Sequence, residues 1–131
     1  MDTINEPAIA IMLTIHADWL IKKGNTPESY LQQMMSLNDN EESVWVILNE
    51  TLPTQNVSHV YVVFDDKVQL RANLLYFKKN EAYTASDTIH DEEQDSENKN
   101  WIVLSAPVVK APVDIPMEDF QGFKYLTKEL F

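Results

Sequence analysis

The sequence predicts an α+β fold: a small, strongly curved mixed sheet or β-barrel with one or two helices near the N-terminus. Two observations carry this. Apolar residues at helical spacing occur only before Asn40, whereas from Ser43 to Leu126 the period is that of strands. The strand-like runs are separated by short polar turns, as hairpins are, rather than by helices, as in alternating α/β folds. At 131 residues the chain is one domain, 1–131.

Ala8-Ile9-Ala10-Ile11-Met12-Leu13-Thr14-Ile15 is apolar on both faces, as a central strand is. His16 to Gly24 reads as a short helix, with Asp18 near its start, Lys22 and Lys23 near its end, and Gly24 as a left-handed cap. The next helix has the sharpest boundary. Thr26 is the N-cap, Pro27 the first helical residue, and Tyr30, Leu31, Met34, Met35 and Leu37 fall on one face. Val44–Leu48 is a strand, and Val57–Phe64 a second. Asp65-Asp66-Lys67 is a tight turn, and Val68–Phe77 returns as the second arm of a hairpin. Along that arm Val68, Leu70, Ala72, Leu74 and Tyr76 face the core, and Gln69, Arg71 and Asn73 face water. Residues 80–100 are polar and acidic, the composition of a mobile loop. Trp101–Ser105 resumes as a strand. Pro107, Pro112 and Pro116 mark an edge strand or extended crossing, Phe120-Gln121-Gly122-Phe123 a turn, and Phe123–Leu126 a closing strand.

Acidic residues number 21 against ten basic ones, a net charge of −11, and Arg71 is the single arginine. Nucleic-acid binders draw most of their affinity from Lys and Arg on phosphates, so this balance disfavours a nucleic-acid partner without forbidding one. About half of the net charge sits in one segment, where Asp87, Asp91, Glu92, Glu93, Asp95 and Glu97 fall within eleven residues. No cysteine is present, and glycine occurs twice, at Gly24 and Gly122. Disulfide frameworks, thiolate metal sites, cysteine nucleophiles and glycine-rich phosphate loops are thereby excluded. No stretch approaches the length of a membrane span, and the N-terminus lacks the basic start of a secretory signal. The expectation is a cytoplasmic protein with no membrane partner; nothing in the sequence fixes an oligomeric state.

Catalytic patterns are sparse. The histidines, His16, His59 and His90, have no metalloprotease spacing. A lone strand histidine such as His59 reads as structural. Asp91, Glu93 and Asp95 alternate as in the start of a calcium loop, but Ser96 and Ile102 stand where glycine and glutamate are required. The serines lack a nucleophile-elbow context, and the adjacent carboxylate pairs Glu41–Glu42 and Glu118–Asp119 fall at turns. The reading is no metal, no cofactor and no assigned enzyme activity.

The C-terminal third resembles the end of PUA-like domains of the ASCH and EVE type. The residues that carry this are Trp101-Ile102-Val103-Leu104-Ser105-Ala106-Pro107, then Ala111-Pro112-Val113-Asp114-Ile115-Pro116, then Phe120-Gln121-Gly122-Phe123. The hairpin with Arg71-Ala72 after its turn is similar to the middle strands of those domains. After Gly24 the lysine and arginine of the ASCH signature are absent. Lys23 and Thr26 share the spacing of the amidohydrolase members, but capping accounts for Thr26, so that activity does not carry over. The resemblance implies a binding module holding a small ligand or nucleotide near Arg71, Trp45 or Trp101, with the aromatic rings as stacking surface. The alternative is an acidic inhibitor or immunity-type protein that covers a basic protein partner, with Asp91, Glu92, Glu93 and Asp95 steering the encounter.

Overall fold

In the computed structural model the described residues are 7–16, 21, 24–40, 43–48, 53–54, 56–81, 99–118, 120 and 123–131. They form a six-stranded mixed sheet with its helices on one face, so the α+β expectation holds. The strands are β1 (Ala10–Thr14), β2 (Ser43–Leu48), β3 (His59–Phe64), β4 (Lys67–Glu81), β5 (Lys99–Lys110) and β6 (Phe123–Leu126). The helices are α1 (Pro27–Met35) and the one-turn α2 (Leu37–Asn40). Strand order across the sheet is β2-β5-β4-β3-β1-β6. The barrel alternative is corrected to an open sheet. β6 pairs with β1, β2 pairs with β5, and these two strands are the edges. Of the short helix expected over His16–Gly24 only His16, Ile21 and Gly24 are described, and Gly24 has the left-handed φ (74°) expected of a cap; the turn at Gln121-Gly122 and most of the acidic segment lie outside the described residues.

β1 is central, as its two apolar faces require. It runs parallel to β3 and antiparallel to β6. Alternation sends Ile11 and Leu13 into the main core and Ala10 and Met12 into a second core on the opposite face. α1 covers the main core with Tyr30 and Met34, both fully buried. Its start is a reciprocal cap. The Ser29 N–H donates to Thr26 Oγ1 at 3.1 Å, and the Thr26 N–H donates to Ser29 Oγ at 2.9 Å. The second core is closed by the C-terminal coil, where Ile115, Met117, Leu130 and Phe131 pack beneath Tyr61, Val63 and Val68.

The hairpin β3–β4 turns at Asp65 and Asp66, both at left-handed φ (57° and 60°), the geometry of a two-residue type I′ turn. Two bulges rewrite the side-chain alternation expected for β4. The register slips opposite Val62 and Val63, so Gln69 is an extra residue. Gln69 is buried, not wet, and its Nε2 donates to the Phe64 carbonyl at 2.8 Å. Val68 consequently joins the second core while Leu70 and Ala72 join the main one. A further slip between Leu74 and Tyr76 makes Leu75 extra. Phe77, rather than Tyr76, then packs on the core, and Tyr76 is exposed beneath the Lys78 ammonium, 5.0 Å from its ring centre.

β5 does not stop at Ser105 but continues through Pro107 to Lys110. Against β4, Ala72 pairs with Val108 and Asn73 with Ser105, which leaves Ala106 and Pro107 as surplus residues in a bulge. A residue without an N–H is tolerated there because the ladder is already interrupted. Past Ser105, no strand among the described residues lies on the β2 side of β5. Asn38 of α2 stands in for one. Its Nδ2 donates to the Val108 carbonyl at 2.8 Å, and the Val108 N–H donates to Asn38 Oδ1 at 2.7 Å.

Candidate functional site

Arg71 and Asn73 of β4 point to the face away from the helices, beside His59 on β3, because His59 is paired with Asn73 and Tyr61 with Arg71. The C-terminal coil crosses this face. Arg71 Nη1 donates to the Phe131 main-chain oxygen at 2.9 Å and lies 3.4 Å from Glu129 Oε1. Tyr61 anchors the same coil. Its hydroxyl donates to the Phe131 main-chain oxygen at 3.1 Å and accepts from the Leu130 N–H at 3.0 Å, and the Tyr61 and Phe131 rings meet edge to face. Between coil and sheet a half-open pocket of about 130 Å³ remains, lined by Ser58, His59, Arg71, Asn73, Pro107 and Glu129.

His59 is the polar group on which the pocket turns. Its Nδ1 lies 2.6 Å from Ser58 Oγ, which is 3.3 Å from the Ile9 carbonyl. Ser58 Oγ and His59 Nδ1 thus share one hydrogen bond, and which of the two donates is set by the tautomer of the ring. Nε2 is buried with no hydrogen-bond partner among the described residues. Glu129 Oε1 stands 4.0 Å from it, beyond hydrogen-bond reach. Burial first, then the Arg71 charge, lower the His59 pKa below 6.5, and the Glu129 carboxylate opposes them only in part. The shift favours the neutral imidazole.

A stability prediction follows from that shift. In the window between the depressed folded pKa and 6.5 the unfolded chain binds more protons than the folded one. His59 therefore costs nothing above 6.5 and destabilises the fold as pH falls through that window. Urea midpoints followed from about pH 8 to about pH 5 should fall more steeply for the wild type than for His59→Phe. Parallel curves would show that His59 ionises as freely in the folded state as in the unfolded one.

The residues picked out by sequence are not gathered into one place. Arg71 lines the pocket. Trp101 is buried at 2 % exposure, level with Lys78 on β4, whereas Arg71 is level with Val109. At the rise of a strand the two are on the order of 20 Å apart. Trp45 lies on β2 opposite Val103, also towards that far end, and its side chain is outside the described residues. Asp91, Glu92, Glu93 and Asp95 are outside them as well. The residues that reasoning from sequence missed are His59, Ser58 and Glu129. The hairpin register was the signal for His59, since it sets that side chain beside Asn73 and Arg71. No local pattern announced Glu129, which arrives from the far end of the chain.

Among the described residues, no three histidine or carboxylate side chains converge as a metal ion requires, and no helix is long and apolar enough to cross a membrane. No family model, no curated protein and no solved structure matches the chain.

Proposed function

We propose that this chain is a small-ligand-binding module whose site is the pocket at Arg71. One observation carries the reading. A guanidinium 30 % exposed and a buried imidazole nitrogen without a partner line the same half-open cavity. Buried polar atoms in native proteins are nearly always satisfied, so an unpartnered polar atom inside a pocket marks a place where a ligand or water completes the bonding. The Arg71–Glu129 contact does not close the site. Glu129 is 58 % exposed, and an ion pair in such a setting contributes about 0–1 kcal/mol. The same reading takes the sheet as a PUA-like framework, supported by the order of its parts: an opening strand, a helix, a long hairpin, a proline-bearing strand and a closing strand. The alternative, an acidic inhibitor of a basic protein, has the −11 charge in its favour.

A thermal-shift screen across nucleosides, nucleotides and small polar heterocycles tests the proposal. At least one class should raise the melting temperature, and Arg71→Ala should remove that response with its circular dichroism unchanged. The variant also releases the Phe131 main-chain oxygen, at an expected loss of about 1–3 kcal/mol. A screen that moves nothing, or a response that survives Arg71→Ala, overturns the assignment.

A further inference from the structure

We infer that His59 and Glu129 form an acid-operated latch: when the imidazole takes up a proton, the Glu129 carboxylate turns onto Nε2 and fastens the C-terminal coil over the Arg71 pocket. The latch's control of access rests on the reading of that pocket as a ligand site.

The coil supplies the first ground. Just beyond Glu129 it is pinned to the sheet. The Phe131 main-chain oxygen takes bonds from Arg71 Nη1 and from the Tyr61 hydroxyl, and the Leu130 N–H is held by the same hydroxyl. The Glu129 side chain borders the pocket and is 58 % exposed, so it can turn without moving the backbone. Its Oε1 already stands between two nitrogens, 3.4 Å from Arg71 Nη1 and 4.0 Å from His59 Nε2. A charge-assisted N–H···O bond is about 2.7–2.9 Å long, so a shift of about 1 Å completes the second contact.

The ring supplies the second. Whichever tautomer the neutral imidazole holds, the imidazolium carries a proton on each nitrogen and only donates. Nδ1–H is then met by Ser58 Oγ at 2.6 Å. Nε2–H, buried and with no hydrogen-bond partner among the described residues, has Glu129 before it. Two charged groups act on the ring: Arg71 of β4 resists a second positive charge, and Glu129 of the coil favours it. The other neighbours are uncharged: the Tyr61 ring of β3 at 5.2 Å, Pro107 of β5, and the Ile9 main-chain oxygen behind Ser58. Protonation thus sets one carboxylate between two cations. Charging the ring still destabilises the fold, because burial and Arg71 outweigh Glu129, and the new bond offsets part of that loss. A carboxylate seated across His59 and Arg71 lies on two residues that line a pocket of about 130 Å³, so an incoming ligand must displace it.

The test needs only the full chain. The His59 ring is titrated by NMR from about pH 8 to about pH 5. Hydrogen exchange, corrected for its intrinsic rate, is followed at the Leu130 amide relative to amides of β3 and β4. As the ring charges, Leu130 protection should rise about two- to fivefold on that relative scale, the effect of a partly exposed ion pair. In Glu129→Gln, a change at an exposed side chain, the ring should titrate at lower pH than in the wild type and the Leu130 rise should vanish. His59→Phe should lack the rise as well. Identical His59 titrations in the wild type and Glu129→Gln overturn the latch. So does Leu130 protection that stays level or falls as the wild-type ring charges. Either result leaves the pocket standing as a ligand site. A silent ligand screen beside a normal Leu130 rise removes the ligand site and keeps the latch.

Discussion

Phe64→Ala should lower the melting temperature by about 10–20 °C, the largest effect expected of any single truncation described. Phe64 ends β3, is fully buried, and meets the Tyr30 ring edge to face, with centroids 5.3 Å apart and planes at 84°. That contact is one of those by which α1 packs on the sheet. Truncating a buried phenylalanine removes its transfer free energy and leaves a cavity the neighbours only partly fill, at a cost of about 3–5 kcal/mol. A domain of this size is stable by about 5–15 kcal/mol in total, so the variant should be folded but close to its threshold. Phe64→Leu, which keeps most of the volume, should lose much less. Leu75→Ala is the control. Leu75 is the surplus residue of a bulge and 48 % exposed, so its loss should stay within about 0.5 kcal/mol. Urea denaturation of the three variants reads the contrast. Equal losses for Phe64→Ala and Leu75→Ala would mean that α1 does not rest on β3.

Local chemistry made much of this fold legible. Thr26-Pro27 specifies a helix start because a capping hydroxyl and a pre-set φ act within one turn, and the capping box is there. The doubly apolar run Ala8–Ile15 specifies a strand covered on both faces, and β1 lies between β3 and β6 with a core on each side. Asp65-Asp66 specifies a hairpin turn, and both residues adopt left-handed φ. What escaped was long-range. A bulge shifts every later side chain to the other face, and nothing in Val68–Phe77 itself reveals that Gln69 and Leu75 are surplus; the partner strand decides that. The proline at 107 looked like the end of the ladder because the compensating bulge depends on where β4 pairs. The candidate site was the least legible part. Arg71 stood out as the single arginine, but its neighbours His59 and Glu129 are separated from it by 12 and 58 positions. Only the hairpin register and the returning C-terminal coil bring them together. The tryptophans drew attention as stacking surfaces, yet Trp101 is spent on packing.

Replacing Asn38 should reveal a strand substitute made by one side chain. The Val108 N–H and C=O both point away from β4, and in the first half of β5 the equivalent groups are met by β2. At Val108, where β2 has ended, the Asn38 amide supplies one donor and one acceptor in the same arrangement. Val108 is 3 % exposed and belongs to the main core, so its backbone groups have little other recourse. Asn38→Ala should cost about 2–3 kcal/mol, more than the typical surface substitution, because two main-chain groups lose partners together. The loss should also loosen α2, a single turn of four residues that has no stability of its own and is held by this clamp together with the buried Leu37. Asn38→Asp separates the two bonds. The carboxylate still accepts from the Val108 N–H but sets an oxygen against the Val108 carbonyl. The folded state of that variant should therefore favour the protonated acid, which donates again as the amide does. Its carboxyl pKa is then raised on folding, so the stabilising contribution is present at low pH and is lost as pH rises through that pKa. Measured at the same pH as the wild type, the Asn38→Asp deficit should shrink on acidification, whereas the Asn38→Ala deficit should stay level. Hydrogen exchange at the Val108 amide gives the local reading: protection should fall in Asn38→Ala while the β3–β4 amides keep theirs. An Asn38→Ala variant with wild-type stability and an unchanged Val108 exchange rate would show that β5 needs no partner past Ser105.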